Sequence, residues 1–407
     1  MVESMNFNYC GTLSASKSIL NRLLIVQSFA PKLQIVGDST CDDVVKMREA
    51  LKIIASGGNA TVNAGSAGTT FRFLALRLSR ISGRHLLLGS ESLLKRPQTE
   101  LIRTLSQLGV QAAFVKDGGR LSGMTIVGDG WVDPKKPILM DGSESSQFAS
   151  AVLLAALGLS FDLVIERVAS SSEGYFEMTM ATLAKAGMNL EITPGKQLKI
   201  PAGSRVTAAS LGAELDVSSA FAVAALGAVG GSSIIKNFPV QSLQPDRVFV
   251  PILKKMGVDI FLERDVLKVN RALRLTGIEQ DLGNAPDLFP VLAVLCSLAQ
   301  GTSRLFGAKQ LIHKESNRLR ETETLLHCVG ARFESRDDGM TIHGDLLPKP
   351  NKVPIVYDPA QDHRMAMAAA LLNLAGANLK ILSPEVVDKS FPEFWSLFPK
   401  KVVGGQP

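Results

Sequence analysis

At 407 residues the chain exceeds what one ordinary hydrophobic core supports, so two domains are expected. Its 46% hydrophobic and 20% charged residues exclude a disordered chain. An excess of 44 Lys+Arg over 38 Asp+Glu leaves only +6, and the absence of a basic run with interleaved aromatics excludes a nucleic-acid stripe.

The start, MVESMNFNYCGTL, lacks a basic segment followed by an apolar one, and no later stretch is apolar for the length of a membrane span. Cys10, Cys41, Cys296 and Cys328 are scattered without CxxC spacing, against both a zinc site and a disulfide framework. The chain reads as cytosolic, with no membrane partner and no metal.

The first predicted helix opens within SASKSILNR, residues 14–22, and runs on through LLIVQSFA. Ser14, Ser16 and Ser18 supply hydroxyls suited to an N-cap. Lys17 and Arg22 stand there too, at the positive end of the helix dipole, which costs stability unless an anion sits nearby. Removing Lys17 should therefore leave stability unchanged or slightly raised. Five further Ala/Leu-rich helices, apolar nearly all round, follow at 69–79, 145–158, 218–229, 287–299 and 363–375, and such helices are buried on most faces.

Between them come amphipathic segments that end in a glycine turn and a short strand: LKIIASGGNATV, TLSQLGVQAAFV, ATLAKAGMNLEI, ILKKMGVDIFLE and TLLHCVGARFES. Glycine there fits a C′ position with φ > 0. Residues 383–398 are expected to be a sixth amphipathic helix. Strands are read at LQIVGD, HLLLGS, MTIVGD, DLVIERV, SIIKNF, SRLFGA, MTIHGD and LKILS. Strands alternating with helices imply an α/β protein whose sheets cover buried helices, in six similar units. The crossing between halves is placed near residues 212–215, and the tail KKVVGGQP is expected to fray.

The buried helices start with SASKS, GSAGTTFR (65–72), GSESSQ (142–147), DVSS (216–219), NAPD (284–287) and QDHR (361–364). Six such starts, converging, would form a pocket of N–H donors and positive dipole ends that suits anions. HKESNRLRE (313–321) adds Lys314 and Arg318 at i and i+4 on one helix face, with Glu315 beside them.

Seven motifs in order, SASKSxxNR, GxAGTTxR, the RP of LLKRPQTELI, GSxSSQF, HKESNRL, DHRMAMAAALL and DKSFPEF, resemble the EPSP synthase family (3-phosphoshikimate 1-carboxyvinyltransferase) from about residue 11 to about 398. The resemblance implies a two-domain inside-out α/β barrel of six βαβαββ repeats, helices inside and sheets outside. One domain would comprise residues 1–14 plus 215–407 and the other 15–214, with the active site in a cleft between them. It also implies transfer of the enolpyruvyl group of phosphoenolpyruvate to the 5-hydroxyl of shikimate 3-phosphate, with release of phosphate, no cofactor, small-molecule partners only and a monomeric chain.

By matching motif, shikimate 3-phosphate would meet Lys17, Ser18, Arg22, Ser145, Ser146, Gln147, Ser172, Tyr175, Asp287, Gln310 and Lys314. Phosphoenolpyruvate would meet Lys17, Gly68, Arg96, Gln147, Arg318, His363, Arg364 and Lys389. Asp287, Glu315 and Lys17 would move protons, with Asp287 the base if its surroundings raise its pKa. The two substrates carry about five to six negative charges, which Lys17, Arg22, Arg96, Lys314, Arg318, Arg364 and Lys389 come close to neutralising.

Ser66, Phe73, Gln310 and the pair Glu173-Gly174 depart from the family pattern, as does IHKES with His313. These bear on affinity more than on reaction type. Two other functions compete with this reading: transfer to UDP-N-acetylglucosamine, which in that enzyme pairs a loop cysteine with a Lys-Asn pair, and a non-catalytic binding role. Lys17-Ser18 and the lack of a cysteine near Arg96 oppose the first, and retention of Lys17, Asp287, Glu315 and Lys389 opposes the second.

Overall fold

A computed structural model describes residues 6–193, 197–346, 348 and 353–398, with only the backbone at Ser170; the tail 400–407 lies outside them. The chain divides into two compact units, Ala15–Ala213 and, together, Met1–Ser14 with Glu214–Pro407. Each has its own hydrophobic core.

The unit Ala15–Ala213 holds α1 (Lys17–Phe29), α2 (Asp42–Ala55), α3 (Gly68–Leu78), α4 (Glu91–Leu94), α5 (Thr99–Gln107), α6 (Gln147–Ala155) and α7 (Glu173–Lys185). The predicted all-round apolar helices are the interior ones: α6 is buried from Phe148 to Ala155. One four-stranded sheet runs Thr61–Asn63, Ser82–Leu88, Arg120–Asp129, Gln111–Asp117, and a second runs Ile138–Gly142, Leu163–Ser170, Leu198–Ile200, Glu191–Ile192. Gln34–Val36 pairs in parallel with Ser210–Gly212.

The other unit carries α8 (Val217–Gly230), α9 (Phe249–Lys255), α10 (Phe289–Leu298), α11 (Arg318–Cys328) and α12 (His363–Leu374). Its sheets repeat the same plan. Phe7–Gly11 pairs in parallel with Gly231–Ile235, which continues antiparallel into Val266–Asn270 and Ile260–Glu263. Glu279–Asp281, Thr302–Phe306, Gly339–His343 and Arg332–Arg336 form the next, and Ile355–Tyr357 pairs with Leu379–Ile381. Every residue of α10 from Phe289 to Ser297 is buried, and each large apolar side chain so buried stabilises the fold by about 1.5–3 kcal/mol.

The glycine turns behave as their pattern predicts: Gly57, Gly109, Gly187, Gly257 and Gly330 lie at φ 80°, 76°, 93°, 85° and 72°. All eight predicted strands are present. Residues 383–398, expected as an amphipathic helix, instead form two 3-10 turns, Pro384–Lys389 and Phe394–Leu397. Pro392 falls between the two and breaks the segment, since proline cannot continue a helix interior. Among the described residues no helix is long and apolar enough to cross a membrane, and all four cysteines are free thiols.

Candidate active site

In the unit Ala15–Ala213 the polar starts of α1, α3, α6 and α7, with Arg96 between α4 and α5, supply the candidate residues. Lys17 opens α1 behind Ser16, whose side chain makes no capping bond. Its Nζ lies 3.0 Å from Asp43 Oδ2, and both side chains are largely buried. Asp43 stands in the first turn of α2, where its charge also meets that helix's positive end. The chain thus supplies an anion for Lys17. This corrects the expectation that losing Lys17 is neutral, because a buried carboxylate would be left behind.

One turn further, Arg22 is 2% exposed. It donates from Nε to Thr179 Oγ1 at 2.7 Å, from Nη1 to the Ser18 carbonyl at 2.6 Å and from Nη2 to the Tyr175 carbonyl at 2.9 Å. The guanidinium also lies over the Phe73 ring, 5.5 Å from its centre. All of these partners are neutral, and burial lowers the Arg22 pKa to about 10. The geometry fixes the side chain and leaves its charge uncompensated among the described residues. Ser18 and Tyr175, both predicted site residues, act here through their carbonyls.

Arg72, the last residue of the GxAGTTxR motif and one to which the sequence assigns no role, organises the next group. Its Nη1 donates to Gln147 Oε1 at 2.8 Å and to Ser145 Oγ at 3.2 Å, and Nη2 donates to the Pro97 carbonyl at 3.2 Å. Its guanidinium packs 4.5 Å from the centre of Phe148. Gln147 Nε2 then donates to Thr69 Oγ1 at 3.0 Å, so its amide orientation is set from both sides. Ser146, buried, is the N-cap residue of α6.

Arg96 stands apart from these bonds. Among the described residues its side chain has no hydrogen bond or ion pair, and its buried Nε is unsatisfied. Gly68 lies beside it: a Cβ there would come 3.3 Å from Arg96 Nη1 and 3.7 Å from Gln147 Oε1. Ser172 precedes α7 in the left-handed region, at φ 52° and ψ 49°. The departure residue Glu173 is engaged by Arg167, Nη1 to Oε1 at 2.7 Å and Nη2 to Oε2.

The second group lies in the unit that begins again at Glu214. HKES does not continue a helix, contrary to the i, i+4 reading. Lys309–His313 is a 3-10 turn, Lys314 is extended, and α11 starts only at Arg318, capped by the Asn317 side chain at 3.2 Å from the Arg320 amide. The chain turns between Lys314 and Arg318, and the two cations converge on one carboxylate. Lys314 Nζ is 3.3 Å from Asp287 Oδ1, Arg318 Nη1 is 2.8 Å from the same oxygen, and Arg364 Nη2 is 3.3 Å from Oδ2. Asp287 sits on the 3-10 turn Pro286–Leu288 just before α10.

Arg318 is 1% exposed and is held on three sides. Besides Asp287 it binds Glu315 Oε2 at 2.8 Å and Asp362, with Nε to Oδ2 at 2.8 Å and Nη2 to Oδ1 at 3.2 Å. Asp362, 0% exposed, caps α12 by accepting from the Arg364 amide at 2.9 Å and also accepts from Ser316 Oγ at 3.1 Å. It is the hub of this cluster, and its signal was the cap position in QDHR. Lys389 Nζ lies 3.8 Å from Glu315 Oε1, and buried His363 has Nδ1 3.8 Å from Asp362 Oδ1. Gln310 turns aside, its amide donating to the Gly283 carbonyl at 2.8 Å.

Burial alone would raise the Asp287 pKa, but Lys314, Arg318 and Arg364 outweigh burial and the repulsion of Glu315, and hold it well below the usual carboxylate range. The raised pKa expected of a base is therefore reversed here. Burial likewise works to lower the Arg318 pKa, and the charges of Asp362, Glu315 and Asp287 carry it well above the ordinary value.

A family model described as EPSP synthase (3-phosphoshikimate 1-carboxyvinyltransferase) matches residues 32–398. A 3-phosphoshikimate 1-carboxyvinyltransferase of Methanoculleus marisnigri is 33% identical over 344 residues, 83% of this chain and 78% of the relative. One from Dehalococcoides mccartyi is 31% identical over 409 residues, 94% of this chain and 93% of the relative. Among solved structures, EPSP synthase from Acinetobacter baumannii aligns with TM-score 0.76 at 22% identity, covering 97% of this chain and 95% of that one. The enolpyruvyl transferase NikO from Streptomyces tendae aligns with TM-score 0.70 at 14% identity, covering 97% and 94%. The structural likenesses establish the α/β fold, and the match along nearly the whole sequence establishes the lineage: the chain belongs to the EPSP synthase family of 3-phosphoshikimate 1-carboxyvinyltransferases.

Proposed function

We propose that the chain transfers the enolpyruvyl group of phosphoenolpyruvate to the 5-hydroxyl of shikimate 3-phosphate and releases phosphate. In this reading the two units are the two domains of an inside-out barrel of six βαβαββ repeats, which close over the substrates. The observation that carries it is a contrast between cations. Arg22 rests on neutral acceptors and Arg96 makes no side-chain bond among the described residues, whereas Lys314, Arg318 and Arg364 are tied to Asp287.

The first kind suits an anion that stays charged throughout, since arginine on a fixed scaffold binds carboxylate or phosphate without giving up a partner. Ser145, Ser146, Gln147, Ser172 and Tyr175 surround that role for shikimate 3-phosphate, and Arg96 beside Gly68 takes part of phosphoenolpyruvate. The second kind suits chemistry. Substrate oxygens arriving at Lys314, Arg318, Arg364 and Lys389 draw these cations off Asp287 and Glu315, and the Asp287 pKa rises toward a useful base.

Asp287 then takes the 5-hydroxyl proton as the oxygen bonds to C2 of phosphoenolpyruvate, while Lys17 or Glu315 delivers a proton to the methylene carbon. Loss of phosphate and of a methyl proton from the tetrahedral intermediate restores the double bond. The test is an incubation with phosphoenolpyruvate and either shikimate 3-phosphate or UDP-N-acetylglucosamine, following released phosphate and the vinyl protons of the product by NMR. Release with shikimate 3-phosphate alone is expected. No release with it, or release with the nucleotide sugar, overturns the reading.

A further inference from the structure

The C-terminal ends of α1, α2 and α3 surround a cavity of about 450 Å³ that the reaction above does not use. Its floor is apolar: Leu24 and Ile54 are only 6% and 5% exposed, with Leu51 beside them. Its rim, at Pro31, Lys52 and Ala55, is open to solvent. Lys17, Asp43 and Gly68 stand at the opposite ends of the same three helices. At the helical rise, Lys17 and Ser28 on α1 are roughly 16 Å apart, so the cavity is separate from the candidate active site.

Three cations line the cavity, and among the described residues no carboxylate does. Arg48 is already compensated, its Nη2 lying 2.6 Å from Asp38 Oδ1. Lys52, in the last turn of α2, makes no hydrogen bond or ion pair among the described residues. Arg77, in the last turn of α3, is held in place without being neutralised. Its Nε donates to Ser28 Oγ at 2.8 Å, its Nη2 reaches the Ser28 carbonyl at 3.5 Å, and its guanidinium packs 4.5 Å from the centre of the Phe29 ring. Ser28 Oγ donates in turn to the Ile25 carbonyl at 2.7 Å, which leaves its lone pairs to Arg77. Nη1 has no partner among the described residues. Burial lowers the Arg77 pKa, and no anion offsets it.

Cations suit the negative ends of helices, and for exposed Lys52 that role suffices. For Arg77 it does not. Its contact with the helix carbonyl is long, and a guanidinium partly withdrawn from water with donors to spare lacks the carboxylate that such a fork takes.

We propose that this cavity binds a small organic anion with an apolar body, a carboxylate carried on a ring system. The carboxylate meets Arg77 and Lys52, and the ring lies on Leu24, Leu51 and Ile54. A mostly apolar hollow with a few placed polar groups is the ordinary form of a small-molecule site. Free phosphate fits less well, because it leaves the apolar floor uncovered. The proposal does not depend on the reaction assigned above.

The test titrates the full chain by calorimetry at pH 7.5 with 1-naphthoate, 1-naphthalenemethanol and acetate. 1-Naphthoate should bind with a Kd below about 1 mM. The other two should bind at least about tenfold more weakly, since one lacks the charge and the other the apolar body. Arg77→Met should weaken 1-naphthoate about tenfold. Because Arg77 also supports Phe29, a second variant separates loss of the site from loss of the fold. Residue 55 is exposed at the end of α2, so Ala55→Phe fills the cavity without entering the core. It should abolish 1-naphthoate binding and leave thermal unfolding unchanged. No binding of 1-naphthoate in that range, equal binding of the alcohol, or undiminished binding to Ala55→Phe overturns the proposal; the last result would place the anion on other cations of the chain.

Discussion

Asp287 and Arg318 form an ion pair at 2.8 Å in which the arginine side chain is almost wholly buried. Because Arg318 is held equally close by Asp362 and Glu315, it does not depend on Asp287 for compensation. Asp287→Asn should therefore fold normally. Its turnover should drop by about 10² to 10⁴, the range for a general base, with shikimate 3-phosphate affinity within a few-fold. Steady-state kinetics and a calorimetric titration check this, and near-normal turnover would move the base role to Glu315.

Lys17→Met should destabilise the fold by about 1–2 kcal/mol, since it removes a largely buried ion pair with Asp43, although the α2 dipole softens the loss. Asp43→Asn added to Lys17→Met should recover most of that stability and none of the activity. Thermal unfolding of the two single variants and the double variant gives the coupling. Additive losses would mean that the pair contributes nothing.

Gly68→Ala tests how closely Arg96 is placed. The residue is helical with φ outside the left-handed region, so alanine should cost no fold stability, yet its Cβ would lie 3.3 Å from Arg96 Nη1. The KM for phosphoenolpyruvate should rise several-fold with a smaller change in kcat. An unchanged KM would remove Arg96 from that subsite.

Stability should carry the signature of Asp246, which is 1% exposed on the 3-10 turn Pro245–Val248 and whose pKa is pushed up by burial and by the charge of Asp287. Its folded pKa, about 6, exceeds the ordinary 3.8, so its contribution is fully present below the ordinary value and is lost as pH rises through about 6. Asparagine keeps the neutral form throughout. Asp246→Asn should thus be more stable than the unmodified chain by about 3 kcal/mol at pH 7.5, the gain fading toward pH 4. Denaturant unfolding across that range checks it, and a pH-independent difference would count against a raised Asp246.

Much of this was legible in the residues because it is local. Helices apolar all round had to be interior, and glycine at a helix end followed by a strand had to take positive φ. Strands such as Phe7–Gly11 and Ile138–Gly142 were not, because their parallel partners lie across a helix or most of the chain and leave no alternation in so few residues. At the site, the cations and carboxylates were legible as members of the motifs, but their pairing was not. Whether Lys17 meets Asp43, or Arg318 meets Asp362, depends on which helix starts lie side by side. The same holds for the sign of the Asp287 pKa, which three cations from separate segments decide.

Arg22, Arg96 and Ser145 belong to one unit, and Asp287, Arg318 and Arg364 to the other, so the proposed reaction requires the two groups to act on one pair of substrates. Titrating a non-reacting phosphoenolpyruvate analogue by calorimetry, with and without shikimate 3-phosphate, measures that requirement. Shikimate 3-phosphate should tighten the analogue by about 1–3 kcal/mol, roughly 5- to 150-fold, and by reciprocity the analogue should tighten shikimate 3-phosphate equally. Equal affinities in the two titrations would contradict a site assembled from both units.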